Sequence, residues 1–175
     1  MRIGQQTVLV TGASSGIGRA IAVAFHRAGS RVLATGRDRA RLEALAREHA
    51  GLGTFVADLR HAEERERLIE EIAAAAPTLS VLVNNAGVQY PQNHVSRSRE
   101  RDDHAGTIGR AREDTALNCE GVVHLTHGLF PRLAAAPEAA VVMVSSGLAL
   151  APKRSAPVYC ATKAFVRIFA KALRH

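Results

Sequence analysis

The chain has 175 residues, 47% of them hydrophobic, and a formal net charge of +7. That length suits one domain with a buried core, and the composition excludes a wholly disordered chain. No apolar run approaches a membrane span and the start MRIGQQTVLV lacks a secretory signal's apolar segment, so a soluble cytoplasmic protein is expected.

The positive charge does not form a nucleic-acid surface. In residues 97–114 five arginines are balanced by Glu100, Asp102, Asp103, Glu113 and Asp114, and the excess lies in residues 2–47 and after Lys153. With no Trp for base stacking, anion affinity is sufficient to explain it. Cys119 and Cys160 form no CxxC pair and read as reduced, half-buried residues. His124 and His127 have ligand-like spacing but no completing carboxylate or cysteine, so no metal is expected.

In chain order, five apolar, β-branched runs alternate with helical segments: TVLV (7–10), RVLAT (31–35), GTFVA (53–57), SVLVN (80–84) and AVVMVSS (140–146). Continuous apolarity predicts parallel strands covered on both faces, and the alternation predicts an α/β fold, a Rossmann-like doubly wound parallel sheet without internal repeat or second domain. RDRARLEALAREHA places Leu42, Leu45 and Ala46 on one side, with Asp38 able to cap it. EERERLIEEIAAAA places Leu68 and Ile72 on one side among solvated charges, and Gly29 reads as the stop after the first helix. Residues 89–112 show no sustained period and read as a long loop.

The run Thr11-Gly12-Ala13-Ser14-Ser15-Gly16-Ile17-Gly18 stands between the first strand and the first helix. Gly12 permits a tight turn, while Gly16 and Gly18 let a pyrophosphate approach the helix N-terminus. Arg37, just after the second strand, can grip a 2′-phosphate where an NAD site would carry an acid, which favours NADP over NAD; as a surface charge it would look the same. Asp58, followed by Leu59, stands after the third strand, either to accept from an adenine amino group or to cap a helix. Asn84-Asn85-Ala86-Gly87 ends the fourth strand and either lets the chain pass a ribose or makes a plain turn. Asn118 interrupts an apolar helix, where an Asn is unfavourable unless hydrogen-bonded; it either holds a proton-relaying water or marks an irregularity near Gly121. Tyr159 and Lys163, four apart, share a helix face, and an ammonium beside a phenol favours the phenolate, so Tyr159 is a candidate acid/base. Ser146 lies thirteen residues upstream of Tyr159.

TGASSGIG (11–18), Asp58, NNAG (84–87), Asn118, Ser146 and YCATK (159–163) together resemble the short-chain dehydrogenase/reductase family, in its order and spacing. The stretch VSSGLALAPKRSAPVYCATKA (144–164) looks like the oxidoreductase subgroup named after lipoteichoic-acid D-alanylation operons. The resemblance implies an NADP(H)-dependent oxidoreductase, with NAD as the lesser alternative, moving hydride between nicotinamide and a carbonyl or secondary alcohol. It implies catalytic residues Asn118, Ser146, Tyr159 and Lys163. Ser146 would bind the substrate oxygen, Tyr159 would protonate it, Lys163 would lower the Tyr159 pKa and bind ribose, and Asn118 would anchor a water relay. The cofactor would be held by Gly12, Ser14, Ser15, Gly16, Ile17, Gly18, Arg37, Asp58, Leu59, Asn85, Ala86, Gly87, Tyr159 and Lys163.

The resemblance further implies a small-molecule partner and a homo-oligomer, with no nucleic acid or membrane. Family members continue past the position matching His175, so residues 1–175 are expected to form one NAD(P)-binding domain of about five strands lacking the C-terminal ones, with the AVVMV edge uncovered. A second reading follows: a shortened, non-catalytic remnant that binds a nucleotide or a partner.

Overall fold

The computed structural model describes residues 2–91 and 104–174. Its five strands, β1 (Thr7–Thr11), β2 (Arg31–Gly36), β3 (Gly53–Val56), β4 (Val81–Asn84) and β5 (Ala140–Met143), form one sheet in the order β3-β2-β1-β4-β5. All four pairings are parallel, with Val8 opposite both Val32 and Val81. This is the doubly wound α/β arrangement read from the alternation of runs.

The strands are apolar on both faces because both faces are covered. Val8, Val10, Val32, Ala34, Val81 and Val83 pack with Ala22, Leu42 and Leu45 of helices α1 (Gly16–Arg27) and α2 (Arg39–Glu48). Leu9, Leu33 and Leu82 point the other way, to Leu68 and Ile72 of α3 (Ala62–Ala75) and to Leu125, Leu129 and Leu133 of α5 (Gly121–Ala134). The edge strands differ: β5 is only partly covered, and Val142 is 42% exposed. The Asp38 side chain accepts from Arg41 N at 3.0 Å, capping α2 as expected, and Gly29 follows α1 at φ +88°.

Two expectations are corrected. The region read as loop 89–112 contains the start of a helix, α4 (His104–Thr115), while residues 92–103 lie outside the described residues. Gly106 and Gly109 hide it from propensity, and packing against α6 (Pro157–Ala172) supplies what the local sequence does not. The charges of α3 are not all solvated: Arg65 is 5% exposed. It stands three residues before Leu68 and seven before Ile72, on the buried stripe itself.

Between α4 and α5 the chain makes a π turn over Ala116–Glu120, closed by Gly121 N donating to Ala116 O. The extra residue is Asn118's opportunity: it turns a polar side chain inward at the sheet's carboxyl end.

Candidate active site

In an open parallel sheet the strand order reverses where two crossovers diverge, and a crevice opens at the carboxyl ends there. Here that place is between β1 and β4. Thr11 closes its floor: Oγ1 donates to Val83 O at 3.3 Å and accepts from Asn85 N at 3.0 Å and Ala86 N at 2.9 Å. Asn85 Nδ2 returns a bond to Thr11 O at 2.9 Å. Above this floor lies a cleft of about 550 Å³.

One end of the cleft is lined by Gly12, Ser14, Ser15, Ile17, Gly18, Gly36 and Arg37, and its flank by Asp58, Leu59, Asn85, Ala86 and Gly87. Every cofactor residue expected from sequence lines the cleft except Gly16, with Tyr159 and Lys163 at its other end. The glycines have separate reasons. Gly12 sits at φ +65°, and a Cβ on it would lie 2.9 Å from Ala86 Cα. A Cβ on Gly18 would lie 2.4 Å from both Gly12 O and Asn85 Nδ2, so Gly18 lets these parts of the chain pack closely. Gly16 has open space around it but a φ of +56°, the conformation that starts α1. The N-cap Ser15 makes no side-chain capping bond and the first turn carries no acid, so α1 offers its N-terminal N–H groups to an anion at the cleft.

Asp58 is not the cap of α3; that position is His61. The Asp58 carboxylate accepts from Arg60 Nε at 2.9 Å and from Arg60 N at 3.1 Å. The Arg60 guanidinium therefore holds the Asp58 carboxyl below the usual carboxylate range, against the opposing effect of burial. Arg60 Nη1 also reaches Glu113 Oε2 at 2.6 Å, where Tyr90 OH donates at 2.9 Å. These bonds hold Glu113 low and push the Tyr90 phenol up. The sequence offered no signal for this rim network, because its members are 23 to 55 residues apart apart from the Asp58–Arg60 pair.

The other end of the cleft carries Val144, Ser145, Ser146, Tyr159 and Lys163. Lys163 is 6% exposed, and its Nζ donates to Val144 O at 3.0 Å and lies 5.7 Å from the Tyr159 ring centroid. Burial lowers the Lys163 pKa, with the nearby Cys119 working the other way. Ser145 Oγ donates to Lys163 O at 3.1 Å, fixing α6 to the end of β5. Ser146 Oγ accepts from Leu148 N at 3.2 Å, which leaves its own proton for a further acceptor.

Asn118 stands behind this wall, fully buried. Its Oδ1 accepts from Val88 N at 3.0 Å, and its Nδ2 donates to Val88 O at 2.9 Å and Thr162 Oγ1 at 3.1 Å. A Cβ on Gly87 would meet Asn118 Oδ1 at 3.1 Å and Lys163 Nζ at 3.3 Å, so both side chains converge on that glycine. The fold thus brings Ser146, Tyr159 and Lys163 to the cleft and Asn118 directly behind it.

A family model described as short chain dehydrogenase matches residues 6–175. The chain belongs to the short-chain dehydrogenase family. It is 38% identical over 177 residues to the uncharacterized oxidoreductase DltE of Bacillus subtilis, covering all of this chain and 67% of that protein. It is 32% identical to the NADP-dependent 3-hydroxy acid dehydrogenase YdfG of Shigella flexneri, covering 95% of this chain and 64% of that one. Among solved structures, L-sorbose reductase from Gluconobacter frateurii, complexed with NADPH and L-sorbose, superposes with a TM-score of 0.84 at 27% identity, over 99% of this chain and 65% of that one. The chain spans about two thirds of the length of these relatives. Among the described residues no helix is long and apolar enough to cross a membrane, and no cluster of ligating side chains could hold a metal ion.

Proposed function

We propose that the chain carries the cofactor site and catalytic residues of an NADP(H)-dependent oxidoreductase acting on a carbonyl or secondary alcohol. The observation that carries this reading is one cleft lined at one end by the start of α1 and Arg37 and at the other by Ser146, Tyr159 and Lys163. The residues fit a dinucleotide: Gly12, Gly18 and Gly87, whose Cβ positions are filled by neighbouring atoms, keep the floor low. The α1 N-terminus and Arg37 would hold its phosphates, Asp58 and Leu59 would flank its adenine, and residues 85–87 would border its ribose. An NADP-dependent relative and a neighbour complexed with NADPH support this choice.

The cofactor, when bound, supplies or accepts the hydride. The chain's own residues handle the oxygen and the proton. Ser146 Oγ, held by Leu148 N, donates its hydrogen to the substrate oxygen. Tyr159 gives that oxygen a proton during reduction and removes it during oxidation. Lys163, fixed by Val144 O, stands beside the Tyr159 ring and faces Gly87. Asn118 holds Val88 and Thr162 so that the walls carrying Gly87 and Lys163 stay together; the expected relay through water belongs at the same place.

The free thiols Cys119 and Cys160 fit a reducing cytoplasm. Exposed Phe130, Phe165 and Ile168 support self-association. The second reading, a non-catalytic nucleotide-binding remnant, predicts the same cleft without turnover. A thermal melt followed by carbonyl-dependent NADPH oxidation separates the two. Saturation at a hundred times Kd stabilises by about 2.7 kcal/mol, and NADPH should raise the transition more than NADH does. Turnover lost in Tyr159→Phe supports catalysis; binding without turnover on a broad carbonyl panel supports the remnant; no response to either nucleotide rejects both.

A further inference from the structure

We infer that Arg65 is a positioning residue that locks the loop beside Asp58 to the π turn carrying Asn118, so that the two halves of the cleft are set by one buried guanidinium. A buried charge is costly unless its donors are engaged, and each engagement then fixes its partner. The Arg65 fork spans two walls. Nη1 donates to Leu59 O at 3.0 Å and to Arg60 O at 3.3 Å, holding the loop that contributes Asp58 and Leu59 to the cleft. Nη2 donates to Glu120 Oε2 at 3.2 Å, at the last residue of the π turn, and Nε donates to His124 Nδ1 at 3.3 Å, one helical turn further on.

The two walls also touch at Gly121, where a Cβ would stand 3.4 Å from Leu59 O and 3.5 Å from Ala116 O. Leu59 O is thus shared between the guanidinium and the close approach of α5. A π turn depends on its surroundings for its extra residue, and from Glu120 the restraint passes within two residues to Asn118, then by hydrogen bonds to Val88 and Thr162. Lysine cannot reproduce this: one ammonium can reach the loop carbonyls but has no planar fork for Glu120 and His124 together. The bearing on catalysis rests on the function proposed above; the coupling of the walls does not.

The test is hydrogen exchange on the whole chain, read at segments 58–61, 86–89 and 116–121, for Arg65→Met, Arg65→Lys and the double variant Glu120→Ala/His124→Ala. Fluorescence titration with NADPH accompanies it. Arg65→Met should speed exchange at 116–121 and at the Val88 amide about tenfold or more while β1 and β4 stay protected. The double variant, which leaves the loop bonds intact, should reproduce the effect at 116–121 and Val88 but spare 58–61. Arg65→Lys should restore 58–61 and the NADPH Kd without restoring 116–121. Acceleration confined to residues near 65, or an unchanged Val88 in the double variant, overturns the inference. Should Arg65→Met fail to fold, the double variant decides it alone. A wild-type chain that ignores NADPH would reject the proposed function and leave the exchange comparison decisive for the coupling.

Discussion

At the scale of the residue, similar letters do unlike work. Gly16 and Gly18 belong to one motif, yet alanine at each should fail differently. Gly16→Ala meets open space and only the penalty of φ +56°, about 1 to 2 kcal/mol. Gly18→Ala drives a methyl to 2.4 Å from a backbone oxygen and should cost more, roughly 2 to 3 kcal/mol. Urea midpoints of the two variants check the order. Titration offers a second contrast. Burial holds the Lys163 pKa below its ordinary 10.5, so between the lowered value and 10.5 the unfolded chain binds more protons and stability rises with pH. Lys163→Met should flatten that rise in melts taken across alkaline pH. Burial pushes Asp114 the opposite way, to about 6, with Glu113 adding to the shift and the Tyr90 backbone opposing it. The folded state then keeps a proton that the unfolded chain has lost. Stability from this group is complete below 3.8 and gone above about 6, and Asp114→Asn should remove that acid-side slope. Residue types at the site were legible because spacing and strand ends place them; their partners were not. Nothing in the letters joins Tyr90 or Arg60 to Glu113, since those bonds depend on how separate segments meet.

At the scale of the element, β1 to β5 and the caps were readable from apolar runs and from Asp38, because those signals are local. Helix α4 was not, since its two glycines and missing apolar stripe leave tertiary packing to decide. The π turn was marked only by an Asn in an apolar segment, and the sequence left open whether that meant function or irregularity. Geometry answers in part: the Asn118 amide supplies hydrogen bonds to both the N–H and the carbonyl of Val88. Asn118→Ala removes the partners of the Val88 N–H and carbonyl, while Thr162 Oγ1 keeps its bond to Tyr159 O, and should destabilise by about 2 kcal/mol. Asn118→Asp keeps the acceptor for Val88 N but loses both donated bonds, so it should rescue little. Chemical denaturation of the two variants measures both effects. The burial of Arg65 was there to be seen in the spacing 65, 68, 72, had a charged residue been allowed on an apolar stripe.

At the scale of the whole molecule, apolar side chains reach the surface on the last elements: Phe130 of α5 is 55% exposed, Ile168 of α6 60% and Val142 of β5 42%, with Phe165 stacked on Phe169 at 5.8 Å. Ile168→Glu should lower self-association, read by light scattering at increasing protein concentration, without altering nucleotide-dependent melting, because Ile168 does not line the cleft. The fold class was legible because strand–helix alternation leaves few topologies open; the sheet's strand order follows from right-handed crossovers rather than from any single motif. That order has a consequence for how the chain forms. The central strand β1 meets one neighbour early, Val8 opposite Val32, but its other partner, Val81, emerges 73 residues later. During synthesis one flank of β1 therefore waits open while two more strand–helix units are made, and refolding must close that long loop before the core is sealed. A chain so wired should fold slowly for its size and be most prone to misassociate before β4 arrives.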